Sequence, residues 1–233
     1  MFKHILVPLD GSTLSEKAIG IATSLARATG AQVTLLHSVS VASFAYAAPL
    51  PASDELYDQM LDSDVIKATN YLKKIETRLH DCDVKNVEVK VLVGPAAEAI
   101  EMVAREGCDL VVMSTHGRTG VARTMWGSIA DEVVRDTNIP VLLVSTRHQI
   151  REMAGCAPNF QRILVPLDGS ELSEQALPVA GALAQVEGAA VLLLSVVPQM
   201  VAVGADHVTD NRDAKADRYL NSVAVCVLPS AVD

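Results

Sequence analysis

Short apolar runs alternate with amphipathic stretches along most of the chain. His4–Leu9, Leu110–Met113 and Pro140–Val144 are apolar almost throughout, and Gln32–Val39 at half its positions, the pattern of strands buried in a parallel sheet. Val87–Val93 tends towards alternation and makes a fifth strand. Between the strands the period changes to that of a helix. Thr13–Thr29 puts Ala18, Ile21, Ala22, Leu25 and Ala26 on one face, and Gly30 stops it. Asp54–His80 carries Leu61, Val65, Ala68, Leu72, Ile75 and Leu79 at heptad-like spacing, a stripe that reads as core. Gly94-Pro95 starts a helix over Ala96–Arg105. Gly127-Ser128 opens another that ends near Asp136, with Ser128 as its N-cap. Ser40–Ser53, rich in Ala, Ser and Pro without period, is a loop. Residues 1–146 therefore predict one α/β domain of five strands and four helices.

Residues 147–159 show no period and read as a linker. Beyond them, Phe160-Gln-Arg-Ile-Leu-Val-Pro-Leu-Asp-Gly-Ser repeats Phe2-Lys-His-Ile-Leu-Val-Pro-Leu-Asp-Gly-Ser. The match runs on through Leu172-Ser-Glu and Ala176, and Ala190–Val197 repeats Gln32–Val39. Asp213–Leu220 is faintly similar to Asp64–Leu72. This is an internal duplication, and there it stops. Residues 160–233 carry no counterpart of the third to fifth strands or of the Gly117–Ser128 loop, and Val223–Asp233 has no useful pattern. The second copy is therefore expected to be incomplete and without a full site.

Composition narrows the class. Half of the 233 residues are apolar but only 3% are aromatic, so the core is built from Val, Leu, Ile and Ala. The net charge of −9 argues against a nucleic-acid surface, which needs a basic face. Cys82, Cys108, Cys156 and Cys226 are scattered, with no zinc or redox spacing, as expected of free thiols in a reducing cytosol. Ile5–Leu9 is too short for a signal-peptide core. Ala189–Ala205, broken by Pro198 and Gln199, falls short of the roughly 20 apolar residues of a membrane span. A cytoplasmic protein without a membrane partner is expected.

The candidate chemistry lies between Asp109 and Val144. The strand Leu110–Met113 runs into Ser114–Gly120, a small, polar, glycine-bearing loop whose backbone can approach a ligand closely. A helix follows at Gly127-Ser128. Unpaired N–H groups and the helix dipole suit such a place to an anion, above all phosphate. Arg118 and Arg123 add positive charge nearby. An ordinary strand–turn–helix would use glycines too. Asp10, at the carboxyl end of the first strand, is either a turn aspartate or a residue of the ligand crevice of an open α/β sheet.

Ser114 and Gly117, then nine residues, then Gly127-Ser128, resemble the nucleotide loop of the ATP-binding branch of the universal stress protein family, Gly-x-x-Gly, nine residues, Gly-Ser or Gly-Thr. Ser114 stands where that pattern has its first glycine. The Val-Pro-Leu-Asp-Gly-Ser start and the Ile139-Pro-Val-Leu-Leu-Val end support the likeness, which covers Phe2–Thr146 and about half of a second copy. The resemblance implies a Rossmann-like five-stranded parallel sheet of order 3-2-1-4-5 with helices on both faces. It implies that a cytoplasmic stress-response protein binds ATP or a related adenine nucleotide in its first domain. By the same resemblance Pro8, Leu9, Asp10, Ser12, Val39 and Met113 line the base and ribose, with Val39 covering the ring. Ser114, His116, Gly117, Arg118, Gly120, Gly127, Ser128 and Ile129 hold the phosphates, and Asp10 faces the ribose or a magnesium ion. The family also pairs its last strand across a dimer, which implies a homodimer through Val141, Leu142, Leu143 and Val144.

Two other classes stay open. One is a weak nucleotide hydrolase, for which Asp10 and His116 are the sole candidates, neither placed as a catalyst by the sequence. The other is a nucleotide-free dimeric interaction module, against which the retained Gly117 and Gly127-Ser128 speak.

Overall fold

The computed structural model describes residues 2–40, 54–115, 127–145, 160–197 and 212–227. They fall in two compact units, Met1–Pro158 and Asn159–Asp233.

In the first unit five strands form one sheet: β1 (His4–Pro8), β2 (Gln32–Val39), β3 (Val87–Val93), β4 (Leu110–Ser114) and β5 (Val141–Val144). Their order is β3-β2-β1-β4-β5, as the resemblance implied, and every neighbouring pair is parallel. The central strand explains the apolar runs, since Ile5, Leu6 and Val7 have no solvent exposure. Leu6, Leu36, Val111 and Met113 face α3 (Ala96–Ala104) and α4 (Ser128–Asp136), packing against Ile100, Val103, Ala130 and Val133. The other face receives α1 (Lys17–Thr29) and α2 (Asp54–Asp81), where Val39 and Val91 meet Ala68. Arg78 of α2 pairs with Glu16 at the start of α1 at 2.9 Å, and the Tyr71 hydroxyl donates to the same carboxylate at 3.3 Å. Burial and that carboxylate push the Tyr71 phenol well above its ordinary value.

All five α1 residues expected inward are buried. The helix itself begins four residues later than its pattern, at Lys17. Residues 12–18 mix spacings instead, with i→i+3 bonds from Lys17 N–H to Leu14 O and Ala18 N–H to Ser15 O beside an i→i+4 bond from Glu16 N–H to Ser12 O. The serines there bond locally to the backbone, which competes with a regular helix. Gly30 ends α1 in the left-handed region at φ 71°, its N–H on the Ala26 carbonyl. The helix at α4 differs by one residue: Gly127 is its N-cap and Ser128 its first helical position.

The second unit holds β6 (Arg162–Pro166), α5 (Glu171–Glu174), α6 (Ala176–Glu187), β7 (Ala190–Leu194) and α7 (Arg212–Val227). β6 and β7 pair parallel in the register of β1 and β2. The strand expected to reach Val197 ends at Leu194, where its partner β6 has run out. The patternless stretch after Val223 is helical to Val227. Val223 packs with Val165, Leu177 and Ala180, so tertiary burial supplies what the local sequence lacks. Tyr219 donates to Glu174 at 3.0 Å, as Tyr71 does to Glu16.

Two outcomes test this description. Gly30→Ala adds a Cβ that meets open space but must adopt φ 71°, so urea unfolding of the first unit should show a loss of about 1 kcal/mol. Burial pushes the Cys108 thiol up to about 11. Thiolate is therefore scarce at pH 8, and peptide mapping after brief alkylation of the native chain should find Cys108 unmodified.

Candidate functional site

β1 stops before its neighbours, and the gap above it is the site. Leu9 N–H closes onto the Leu36 carbonyl at 2.8 Å, while β2 continues to Val39 and β4 to Ser114. A cleft of about 420 Å³ opens there, within the range of small-molecule sites. It lies at the carboxyl ends of the strands, where the sheet order reverses beside β1, the usual ligand position in open α/β sheets.

One wall comes from the turn after β1. Gly11 takes φ 80° there, so the chain can fold Asp10 back over Ser12. Asp10 Oδ1 accepts from the Ser12 N–H at 2.9 Å and from the Ser12 hydroxyl at 2.6 Å. Ser15, buried, donates its hydroxyl to the Ser12 carbonyl at 2.9 Å and accepts the Asp10 N–H at 3.3 Å. The carboxylate is thus held in place rather than left to swing. The opposite wall is Met113, Ser114 and Thr115 at the end of β4.

The far end is the start of α4. Gly127 N–H donates to the Thr115 carbonyl at 2.8 Å, and Thr115 N–H to the Val144 carbonyl at 3.0 Å, which ties the helix start to β4 and β5. The Gly127 amide is therefore engaged. Ser128, Ile129 and Ala130 occupy the first turn, where backbone N–H groups have no intrahelical partner, and all three line the cleft. That end of the cleft is mildly positive.

Of the residues expected at the site, Pro8, Leu9, Asp10, Met113, Ser114, Gly127, Ser128 and Ile129 meet around this cleft. Ser12 stands behind the wall as the partner of Asp10. Val39 does not line it. Strand alternation turns its side chain to the opposite face, onto Ala68, and its carbonyl accepts from Gly94 N–H at 3.0 Å. Ser38 and Ser40, one residue to either side, line the cleft instead. Period-two alternation read from Leu36 would have found them. Ser15, Ala96 and Ile100 also line it, and only the packing of α1 and α3 reveals that. His116, Gly117, Arg118 and Gly120 lie outside the described residues. Among the described residues no three His, Cys, Asp or Glu side chains gather to hold a metal, and no helix is long and apolar enough to cross a membrane.

A parallel sheet with a cleft at its switch point defines a doubly wound α/β protein. The profile of the Universal stress protein family matches residues 1–145 and 159–225, and the chain belongs to that family. It is 34% identical over 145 residues to universal stress protein MJ0531 of Methanocaldococcus jannaschii, covering 62% of this chain and 82% of that protein. The solved structure of MJ0577, from the same organism, is 27% identical, with a TM-score of 0.55 over 64% of this chain and 99% of its own. A universal stress protein structure from Archaeoglobus fulgidus follows 96% of this chain and 74% of its own at a TM-score of 0.68 and 18% identity, a likeness of fold.

Ser15→Ala removes both hydroxyl bonds of the turn in a buried place. Chemical denaturation should show a loss of about 1–3 kcal/mol from the first unit. An unchanged midpoint would mean the turn holds Asp10 without it.

Proposed function

We propose that the first domain, residues 1–146, binds ATP or a related adenine nucleotide in the cleft above β1. The observation that carries the reading is the cleft's two-ended build. One end offers the first-turn amides of α4, and the spacing from Ser114 and Gly117 to Gly127-Ser128 in the sequence resembles the family's nucleotide loop. The other end is flanked by Ser38, Ser40, Leu36 and Ile100. The carbonyls of Leu36 and Val39 point to β1 and β3 respectively, so alternation turns the backbone of Ser38 over the end of β1. Its backbone takes the base edge, in place of Val39, which the resemblance had set over the ring. The triphosphate lies on the amides of Gly117–Gly120 and of Ser128–Ala130, with the Ser128 hydroxyl donating.

Asp10 faces the ribose or a magnesium ion. A lone carboxylate suits magnesium, which keeps waters and takes its remaining ligands from phosphates. The ion would arrive with the nucleotide, held by Asp10. The role is binding, with at most weak hydrolysis. Among the described residues of the second unit there is no counterpart of Gly127–Ala130. The edge strand β5 is apolar and half-buried, and an unguarded edge invites a further strand. We assign it to a two-fold homodimer through Val141, Leu142, Leu143 and Val144, in the cytoplasm.

Mass spectrometry of the small molecules released on denaturing the purified chain should detect an adenine nucleotide. Gly127 sits at φ −71° and ψ 154°, open to any residue, so Gly127→Val should fold. It should weaken ATP binding at least ten-fold by calorimetry, whereas Val39→Ala should lower stability and leave affinity within about two-fold. Unchanged binding in Gly127→Val would move the phosphates elsewhere. Light scattering should find Leu142→Lys unable to make the β5 pair.

A further inference from the structure

Among the described residues that line the cleft none belongs to α2, yet one side chain of that helix reaches the turn that carries Asp10. The Tyr71 ring meets His37 edge-on, with centroids 6.2 Å apart and planes at 71°. That contact fixes the ring, and its hydroxyl donates to one oxygen of Glu16 at 3.3 Å. Arg78, two turns further along α2, donates to the other oxygen at 2.9 Å. The Glu16 side chain is only 28% exposed, so these donors replace much of the water it would otherwise hold. Burial and the charge on Glu16, with that of Asp10 behind it, hold the Tyr71 phenol well above its ordinary value. It therefore stays a donor at neutral pH.

From Glu16 two further links lead to Asp10. Glu16 N–H donates to the Ser12 carbonyl at 3.2 Å, beside the Ser15 hydroxyl at 2.9 Å. The Ser12 hydroxyl accepts Ser15 N–H at 3.2 Å and donates to Asp10 Oδ1 at 2.6 Å. Ser12 is thus held from one side and holds Asp10 on the other. A Glu16 that loses a donor turns towards water and takes its backbone with it. The second unit separates what the turn needs from what has been added. Tyr71-Leu72 and Ile75 correspond there to Tyr219-Leu220 and Val223. Tyr219 keeps its bond to Glu174 at 3.0 Å, and Asp168 still accepts from Ser170 N–H at 2.9 Å. His37 and Arg78, however, have Ser195 and Cys226 as their counterparts. The junction folds with the tyrosine–glutamate pair, and the first unit grips that pair more firmly than the junction requires.

We infer that Tyr71 is a positioning residue for the cleft: through Glu16 and Ser12 it holds Asp10 where the sugar or the ion of a bound nucleotide meets it. The role rests on the nucleotide reading above. Tyr71 does not line the cleft and acts only through the turn. It sets the carboxylate before a ligand arrives, so that binding does not also have to order it.

The test uses the full chain. Tyr71→Phe keeps the ring and removes only the hydroxyl. Leu79→Val, in the buried core under the same helix, serves as a control that lowers stability without touching the turn. In the ligand-free chain, NMR should find the Ser12 amide exchanging with water at least about five-fold faster in Tyr71→Phe and unchanged in Leu79→Val. Calorimetry with magnesium and ATP should show affinity falling about five- to ten-fold in Tyr71→Phe and staying within about two-fold in Leu79→Val. In an Asp10→Ala chain, which has no carboxylate left to place, the same Tyr71→Phe change should cost less than about two-fold. A Ser12 amide that exchanges as in the parent chain overturns the inference. So does an equal loss of affinity with and without the Asp10 carboxylate. A parent chain that binds no ATP overturns the nucleotide reading instead, and the Ser12 exchange then decides by itself whether Tyr71 holds the turn.

Discussion

The site depends on one strand ending early. β1 gives its last ladder bond at Leu9, and Pro8 just before it has no N–H to extend the pairing. Its two neighbours run on, still paired with β3 and β5, so their ends on the side of β1 become walls. Met113, Ser114 and Thr115 form one wall, and Ser38 and Ser40 stand over the gap. The first turn of α4 closes the far end because Gly127 is bonded back to Thr115. A longer central strand would fill the cleft with backbone and leave the helix start nothing to face.

The turn after β1 shows how the same element can serve twice. In both units an aspartate accepts from a serine N–H two residues on, at 2.9 Å. In both, a tyrosine from a distant helix bonds the glutamate that follows the turn. The first unit makes a ligand wall of this arrangement. The second keeps it with Asp168 exposed at the surface, and the turn's hydrogen bonds hold that carboxyl down at about 2. The shared geometry is therefore a property of the βα junction, and the cleft is what the other strands add to it.

Much of this was legible in the chain. Apolar runs located four strands of the first unit and alternation the fifth, helical period found α1 and α2 with their buried faces, and Gly94-Pro95 marked the start of α3. The repeat beginning at Phe160 exposed the second unit, and the glycine spacing pointed to the end of β4. The failures share a cause, since each turned on a contact between segments. Val39 was placed by its position at a strand end, whereas alternation gives its face to α2. Ser128 was taken as the cap because serine favours that role, yet the bond from Thr115 fixes Gly127 there. Val223 looked patternless until Leu177 and Ala180 supplied its partners.

The bond between the Thr115 carbonyl and the Gly127 amide has a further consequence. It holds the two ends of the intervening segment, Thr115 and Gly127, together at 2.8 Å. Closing a loop between fixed ends costs little more as it lengthens, about 0.6 kcal/mol for each doubling. Residues can therefore be inserted, deleted or exchanged there with small effect on the sheet. The chain thus separates what must stay constant from what can vary, and substitutions can be tried in this segment without putting the sheet at risk.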